Sequence, residues 1–297
     1  MQSFPISYIE PVFRPPSEAK SLILPVTNGC SWNKCTFCEM YTQEQKKFRA
    51  RKDEDIKADI ARAAQSLVGV QRVFLADGDA MILPTRRLKQ ILQWCCDAFP
   101  DLERVSSYCL PRNIAKKSVE ELSELRALGL EFLYVGLESG DDLVLHKVNK
   151  GETFESSVSA LQKIRDAGLV SSVMVLNGLG GRRYSEQHAI NSAKAINLSQ
   201  PDYVSTLVVS FPMGKERFMS GFEDFDELNQ YELFKELRTF IGHLELENTV
   251  FRSDHASNYL PLKGVLNKDK DRLLAELDLA IHEPDKVILR QEWQRGL

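Results

Sequence analysis

The chain alternates short runs of apolar and β-branched residues with longer segments in which apolar residues recur every three or four positions. A short apolar run bounded by turn residues is typical of a buried strand, and the longer spacing is typical of an amphipathic helix. This pattern predicts strands at residues 22–26, 72–75, 104–108, 132–136, 172–176 and 203–209. Each is followed by a helical segment, which is the pattern of a parallel α/β fold.

Three helical segments, at residues 56–67, 119–128 and 154–164, each place one apolar stripe inward. Gly129 and Gly168 come just after two of these helices, where a left-handed backbone favours glycine. The repeated strand–helix units predict a partial (β/α)6 TIM-like barrel or a doubly wound sheet. In both folds a site assembles at the carboxyl ends of the strands.

The pattern changes after residue 214, where an acidic run at 223–227 precedes two further helical segments. We therefore predict an N-terminal arm at 1–20, a barrel at 21–214 and a C-terminal α/β cap at 215–297. Within the cap, the polar stretch 252–259 is predicted to be either a loop over the open end of the barrel or a capping turn.

Composition narrows the class of protein. The 297 residues are 43% hydrophobic and 27% charged, which is ordinary for a globular protein with a full core. A formal charge of −4 argues against broad binding to nucleic acid. The chain shows no signal-peptide pattern and no run of about eighteen apolar residues, so we expect a cytoplasmic protein without a membrane span. The basic stretch 46–52 is expected to be a solvated approach to a helix.

Three of the six cysteines follow the first predicted strand. Cys30, Cys35 and Cys38 come after Asn28-Gly29, a pair that tolerates positive φ and lets the chain fold back. Three thiolates without a second ligand pair suit an iron–sulfur cluster with one open iron better than structural zinc, which needs four ligands. Two alternatives remain: a zinc site completed from elsewhere, and a disulfide with a spare thiol.

Chemically unusual residues follow the other predicted strands. They are Asp77-Gly78-Asp79, Pro111-Arg112-Asn113, Glu138-Ser139-Gly140, residues 177–181 and Pro212-Met213-Gly214. Because the carboxyl ends of parallel strands meet at one edge of a sheet, these residues are predicted to form a site. The alternative for the aspartates is a simple turn and helix cap before Pro84.

With these motifs the sequence resembles the radical S-adenosylmethionine (SAM) superfamily, in the group that includes the oxygen-independent coproporphyrinogen oxidases, Elp3 and MiaB. Thr36-Phe37-Cys38 matches the end of the superfamily signature, although four residues separate Cys30 and Cys35 where the usual motif has three. The resemblance implies that the three cysteines hold a [4Fe-4S] cluster for reductive SAM cleavage. It also implies an unidentified substrate that loses a hydrogen atom, and a one-electron donor such as a flavodoxin or ferredoxin.

The resemblance further implies seven SAM-binding residues: Gly78, Asp79, Glu138, Lys150, Asn177, Gly178 and Gly180. The first two occupy a turn whose backbone binds the SAM amino group in the family, with Asp77 in place of a glycine. Glu138 matches a polar SAM contact, and Lys150 matches a basic residue on the SAM carboxylate. The last three match a glycine turn near adenine.

Two other functional classes remain open. A non-enzymatic iron–sulfur or zinc module would not cleave SAM. An RNA-modifying radical SAM enzyme is disfavoured by the charge of −4.

Overall fold

A computed structural model describes residues 5–295. In chain order the strands are β1 (Leu22–Pro25), β2 (Thr27–Asn28), β3 (Arg49–Ala50), β4 (Arg72–Ala76), β5 (Arg104–Cys109), β6 (Leu130–Glu138), β7 (Val170–Asn177), β8 (Tyr203–Val208), β9 (Val250–Ser253) and β10 (Leu262–Val265). The α-helices are α1 (Asp53–Ser66), α2 (Thr85–Ala98), α3 (Pro111–Ala115), α4 (Val119–Ala127), α5 (Asp142–Lys147), α6 (Phe154–Asp166), α7 (Gly181–Ser199), α8 (Glu216–Met219), α9 (Gln230–Gly242) and α10 (Lys270–His282).

The main sheet is mostly parallel, and its strand order is β1-β4-β5-β6-β7-β8-β9-β10. Neighbours are parallel from β1 to β6 and from β7 to β9, and β10 is antiparallel to β9. An α/β fold of this kind confirms the predicted fold class and is consistent with a partial TIM-like barrel. Between residues 5 and 295, no helix combines the length and apolar character needed to cross a bilayer.

The chain divides into two compact units. The first contains residues up to Asn33, Cys38–Val135 and Lys163–Val170, and the second contains Lys34–Phe37, Gly136–Gln162 and the residues from Ser171 onward. Residues 215–297, the predicted cap, include β9 and β10 and so contribute two strands to the sheet.

The helical stripes predicted for the first unit are buried. In α1 the side chains of Ile56, Ile60 and Ala63 are inaccessible to solvent or nearly so. In α4, Leu122 and Leu125 are fully buried. Each of these stripes is buried as one face because its residues recur at the helical period.

A buried carboxylate ties the N-terminal arm to the first unit. Glu18 is fully buried and forms an ion pair with Arg104 at 2.9 Å. The Tyr134 hydroxyl donates to the same Glu18 oxygen at 2.5 Å. A buried carboxylate needs such donors because an isolated charge in the interior is costly.

The strands of the second unit have two different faces. In β7 and β8, buried residues alternate with half-buried ones, as the two-residue period of a strand requires. In β9, Phe251 and Ser253 are buried whereas Arg252 between them is exposed. One sheet face of this unit therefore packs into the core, and the other carries the more accessible side chains.

An asparagine side chain completes the pairing of β8. β9 pairs with β8 only as far as Ser205, opposite Arg252. Beyond that point the Asn258 amide donates to the Thr206 carbonyl at 2.8 Å, and its oxygen accepts from the Val208 amide at 3.1 Å. The polar stretch 252–259 therefore satisfies the end of β8 with side-chain groups, in the place of a continued strand.

We expect Asn258→Ala to lower the free energy of unfolding by about 1–3 kcal/mol, because it leaves a buried carbonyl without its donor. Urea unfolding of the full chain measures the change. Asp254→Ala, an exposed position in the same stretch, is the matched control and should change stability by less than about 0.5 kcal/mol. Equal losses in both variants would contradict this role for Asn258.

Candidate functional site

The three cysteines of the motif lie on a loop, residues 29–48, whose two ends are joined by the β2–β3 pair. Asn28 is buried, and its side-chain amide donates to the carbonyls of Gln45 at 2.9 Å and Lys47 at 3.1 Å. These bonds bring the end of the loop back to its beginning. The cysteine loop, as we call residues 29–48, is therefore closed at its base by protein hydrogen bonds.

Two glycines allow the cysteine loop to touch the turn after β4. Gly29 and Gly78 have φ of +74° and +83°, in the region that favours glycine. A Cβ at Gly78 would overlap the carbonyl of Gly29, and a Cβ at Gly29 would overlap the carbonyl of Lys46. The structure thus places the predicted SAM residue Gly78 against the start of the cysteine loop.

Asp79, also predicted to bind SAM, is fully buried beside the cysteine loop. Its carboxylate accepts hydrogen bonds from the side chains of Ser31 and Asn113. Burial raises the pKa of Asp79, and the donors from Ser31 and Asn113 oppose that rise. The side chain therefore holds the loop, and the predicted SAM contact through the backbone of this turn stays a prediction.

Asp77 anchors the other end of the cysteine loop. Its carboxylate forms a buried ion pair with Lys46 and accepts from the Tyr41 hydroxyl at 3.0 Å. Burial raises the pKa of Asp77, and Lys46 and Tyr41 oppose the rise. The expectation that residues 46–52 form a solvated approach to a helix is wrong for Lys46, which is 1% exposed and paired with Asp77.

The middle of the cysteine loop, residues 34–37, belongs to the second unit and is held there. The Thr36 amide donates to the Val148 carbonyl at 2.9 Å, and the Arg217 guanidinium donates to the Cys35 carbonyl at 3.0 Å. Arg217 lies on α8, whose neighbours Phe218 and Phe222 are 1% exposed. Sequence reasoning missed this contact, although the aromatic residues at 211–225 were a signal that the segment packs.

Glu138 and Lys150, predicted twelve residues apart as SAM contacts, are brought together as an ion pair. The two charged atoms are 3.0 Å apart, and both side chains are at least nine-tenths buried. Glu138 has a φ of +63°, and a Cβ at Gly136 would overlap its carboxylate. The Lys150 ammonium also lies 5.8 Å from the centre of the Phe37 ring, next to Cys38 in the sequence.

The predicted adenine turn follows β7 and is supported by buried polar residues. Asn177 donates to the Leu233 carbonyl at 3.2 Å, and Glu236 accepts from the Gly178 amide at 2.5 Å. Burial raises the pKa of Glu236. Gly180, at the start of α7, has no room for a Cβ without crowding His188 at 3.1 Å. Glu236 on α9 had no signal in the local sequence.

The donors of the cysteine loop fit a cluster better than a single metal ion. All six cysteines are thiols, and Cys35 is buried while Cys30 and Cys38 are half-buried. In the described part of the chain, no three Cys, His, Asp or Glu side chains converge on one metal ion. A structural zinc ion takes four ligands, whereas each of three thiolates can bind a different iron of a four-iron cluster.

A second observation fits the same group. The Thr36 hydroxyl, between two of the thiols, is buried and has no hydrogen-bond partner within residues 5–295. Such a donor is suited to a sulfur atom of a cluster, because hydrogen bonds to sulfur are a means of tuning these centres. Soft thiolate ligands also favour iron–sulfur clusters over hard cations.

Comparison with known proteins identifies the region that carries this loop. A family model described as the Radical SAM superfamily matches residues 24–196. A curated relative from Methanocaldococcus jannaschii, provisionally named as a methylthiotransferase, is 24% identical over 148 residues, which are 48% of this chain and 31% of the relative.

Solved structures show the same fold at low identity. Coproporphyrinogen III oxidase (HemN) from Escherichia coli has a TM-score of 0.56 and 17% identity, covering 75% of this chain and 51% of that chain. The methyltransferase TsrM from Kitasatospora setae, with cobalamin and a [4Fe-4S] cluster bound, has a TM-score of 0.50 and 18% identity, covering 63% and 36%. The chain thus spans between 31% and 51% of the length of these three proteins.

We expect Lys46→Ala to lower the free energy of unfolding by about 3–5 kcal/mol, because it leaves the buried Asp77 carboxylate without its counterion. Lys47→Ala is a matched control, since the neighbouring lysine is exposed and should change stability by less than about 0.5 kcal/mol. Urea unfolding of both variants measures the difference. Lys46→Ala with the stability of Lys47→Ala would show that the ion pair does not hold the loop.

Proposed function

The chain belongs to the radical SAM superfamily, and from this premise we propose that it is an enzyme that binds a [4Fe-4S] cluster and cleaves SAM reductively. The observation that carries the proposal is the closed loop with Cys30, Cys35 and Cys38, which lies within the matched residues 24–196. When bound, the reduced cluster supplies the electron that splits SAM into methionine and a 5′-deoxyadenosyl radical, which takes a hydrogen atom from a substrate.

The turn after β4 would position the cysteine loop and bind one end of SAM. Asp77 and Asp79 hold the cysteine loop, so the backbone that carries the thiols is fixed in position. Gly78 presents its backbone beside Gly29 at the start of the loop. This backbone is suited to accept a hydrogen bond from the SAM amino group, because no side chain covers it.

Glu138, Lys150 and the turn after β7 are proposed to bind other parts of SAM. Lys150 would donate to the SAM carboxylate, and Glu138 would hold the ammonium of Lys150 in place through their 3.0 Å ion pair. The turn with Asn177, Gly178 and Gly180 would receive adenine on its backbone. Glu236 keeps that turn in position through the Gly178 amide.

The proposal includes a one-electron donor such as a flavodoxin or ferredoxin, because each reductive cleavage of SAM consumes one electron that has to be supplied to the cluster. The likeness to known proteins concerns the radical SAM region and the fold. The likeness to the methylthiotransferase covers 31% of that protein, and the likeness to the oxidase and the methyltransferase concerns the fold.

We expect Cys30→Ala, Cys35→Ala and Cys38→Ala each to abolish the visible iron–sulfur absorbance and SAM cleavage together, because two thiolates hold a four-iron cluster poorly. Iron content, absorbance and electron paramagnetic resonance after anaerobic reconstitution measure the outcome. Cys95→Ser in α2 and Cys109→Ala in β5 are controls that should keep full iron. Full iron in any of the first three variants would overturn the assignment, and bound zinc without these spectra would favour the zinc module.

We expect Glu138→Ala and Lys150→Ala to keep the iron while weakening SAM affinity by about 1.5–3 kcal/mol each, or about 10- to 150-fold, as for loss of a hydrogen bond to a charged group. Anaerobic isothermal titration with SAM measures the affinity. Lys150→Arg should recover most of it, and Lys235→Ala, at an exposed position of α9, is the control. If the ion pair only stabilises the fold, the Ala variants will unfold more easily but bind SAM as the wild type does.

A further inference from the structure

A row of donor side chains crosses the accessible face of the sheet in the second unit. Ser205 of β8 lies opposite Arg252 of β9, and Arg252 lies opposite Lys263 of β10. Residues directly opposite one another on neighbouring strands point to the same face. Ser172 of β7 belongs to this face too, one step along, opposite Tyr203.

This row contains two cations side by side. Arg252 and Lys263 are both exposed, and neither forms an ion pair or a side-chain hydrogen bond with any residue between 5 and 295. Like charges directly opposite on neighbouring strands destabilise a sheet. The arrangement therefore costs stability and is not compensated by the side chains around it.

Carboxylates are missing from the same face of the four strands. The residues that share it are Val170, Ser172, Met174, Leu176, Tyr203, Ser205, Leu207, Val250, Arg252, Lys263 and Val265. Asp254 follows two residues after Arg252, beyond the end of β9, and it forms no ion pair with it. The hydroxyls of Ser172 and Ser205 also make no hydrogen bond within the described residues, so the row offers two cations and two hydroxyl donors without a carboxylate beside them.

We propose that Arg252, Lys263 and Ser205 form a binding site for an anionic group, a carboxylate or a phosphate, of the enzyme's substrate. An arginine guanidinium binds such groups with two parallel hydrogen bonds, and a lysine adds a compact charge. The identification of the ligand as substrate rests on the proposed function. The donor row itself rests only on the register of the strands.

The position of the row suits a substrate. Met174 pairs with Ser205 in this row and lies three residues before Asn177, which corresponds to about 10 Å along an extended strand. Leu176 and Leu207 extend the same face toward the ends of β7 and β8. A small molecule with its anion at the row therefore needs to extend about 10 Å along this face to reach the turn predicted to hold adenine.

The test is isothermal titration of the reconstituted full-length protein with inorganic phosphate and, separately, with glutarate, at an ionic strength held constant with sodium chloride. We expect saturable binding of one anion, weakened roughly tenfold by Arg252→Gln or Lys263→Gln, as for one lost charge-assisted hydrogen bond, and abolished in the double variant. Binding of phosphate alone would identify the anionic group as a phosphate, and binding of glutarate alone would identify it as a carboxylate. Binding of both anions, weakened by the same substitutions, would also support the site and would show that it accepts either group.

The control is the double variant Arg86→Gln/Lys235→Gln, which removes the same charges from exposed positions of α2 and α9. It should bind the anion as the wild type does. An equal loss in this control would assign the effect to net charge and overturn the site. The site would also be overturned if neither anion bound to the wild-type protein.

Two further results separate this proposal from its alternatives. Lysine on an edge strand also protects a sheet against self-association. Aggregation of Lys263→Gln, together with normal anion binding by Arg252→Gln, would therefore overturn the site in favour of edge protection. Iron content is measured on the same samples: wild-type protein that binds the anion but no iron would contradict the proposed function and leave the anion site standing.

Discussion

The burial of two carboxylates in one short turn is the constraint on which the candidate site depends. Asp77 and Asp79 follow β4, and each is almost inaccessible to solvent. A buried carboxylate is costly unless donors surround it. The cysteine loop supplies those donors, from Lys46 and Tyr41 to the first carboxylate and from Ser31 to the second. The path of the loop is therefore set by the turn that it has to satisfy, at both of its ends.

The periodicity of the sequence was sufficient to predict the parallel part of the fold. Each of the six predicted strands overlaps a strand of the sheet, because short apolar runs that alternate with helical stripes are strong local signals. β9 and β10 were missed as members of the sheet, since each has four residues and carries a cation at a strand position. Their place depends on pairing with β8, which no local pattern records.

In the candidate site too, the features with a local sequence signal could be predicted and those that depend on distant contacts could not. The positions of the cysteines and of the residues at the strand ends follow from the sequence. Glu138 and Lys150 were each predicted to contact SAM, and their ion pair with one another is a finding of the structure. The residues that hold the cysteine loop in place could not be predicted from the sequence, because each contact joins distant parts of the chain. Lys46 is 31 residues from Asp77, and Arg217 is 182 residues from Cys35. A basic run ordinarily faces water, and only the tertiary contact with Asp77 shows that Lys46 does not.

The closed base of the cysteine loop affects what happens to the protein when oxygen destroys its cluster. Oxygen destroys exposed iron–sulfur centres, and a polypeptide that depended on the metal for its backbone would unfold with it. Here the loop is fastened by β2–β3, by Asn28 and by the two aspartates, none of which uses sulfur. Loss of iron would then change the structure only locally. The same folded polypeptide would be able to take up a new cluster, without being degraded and synthesised again.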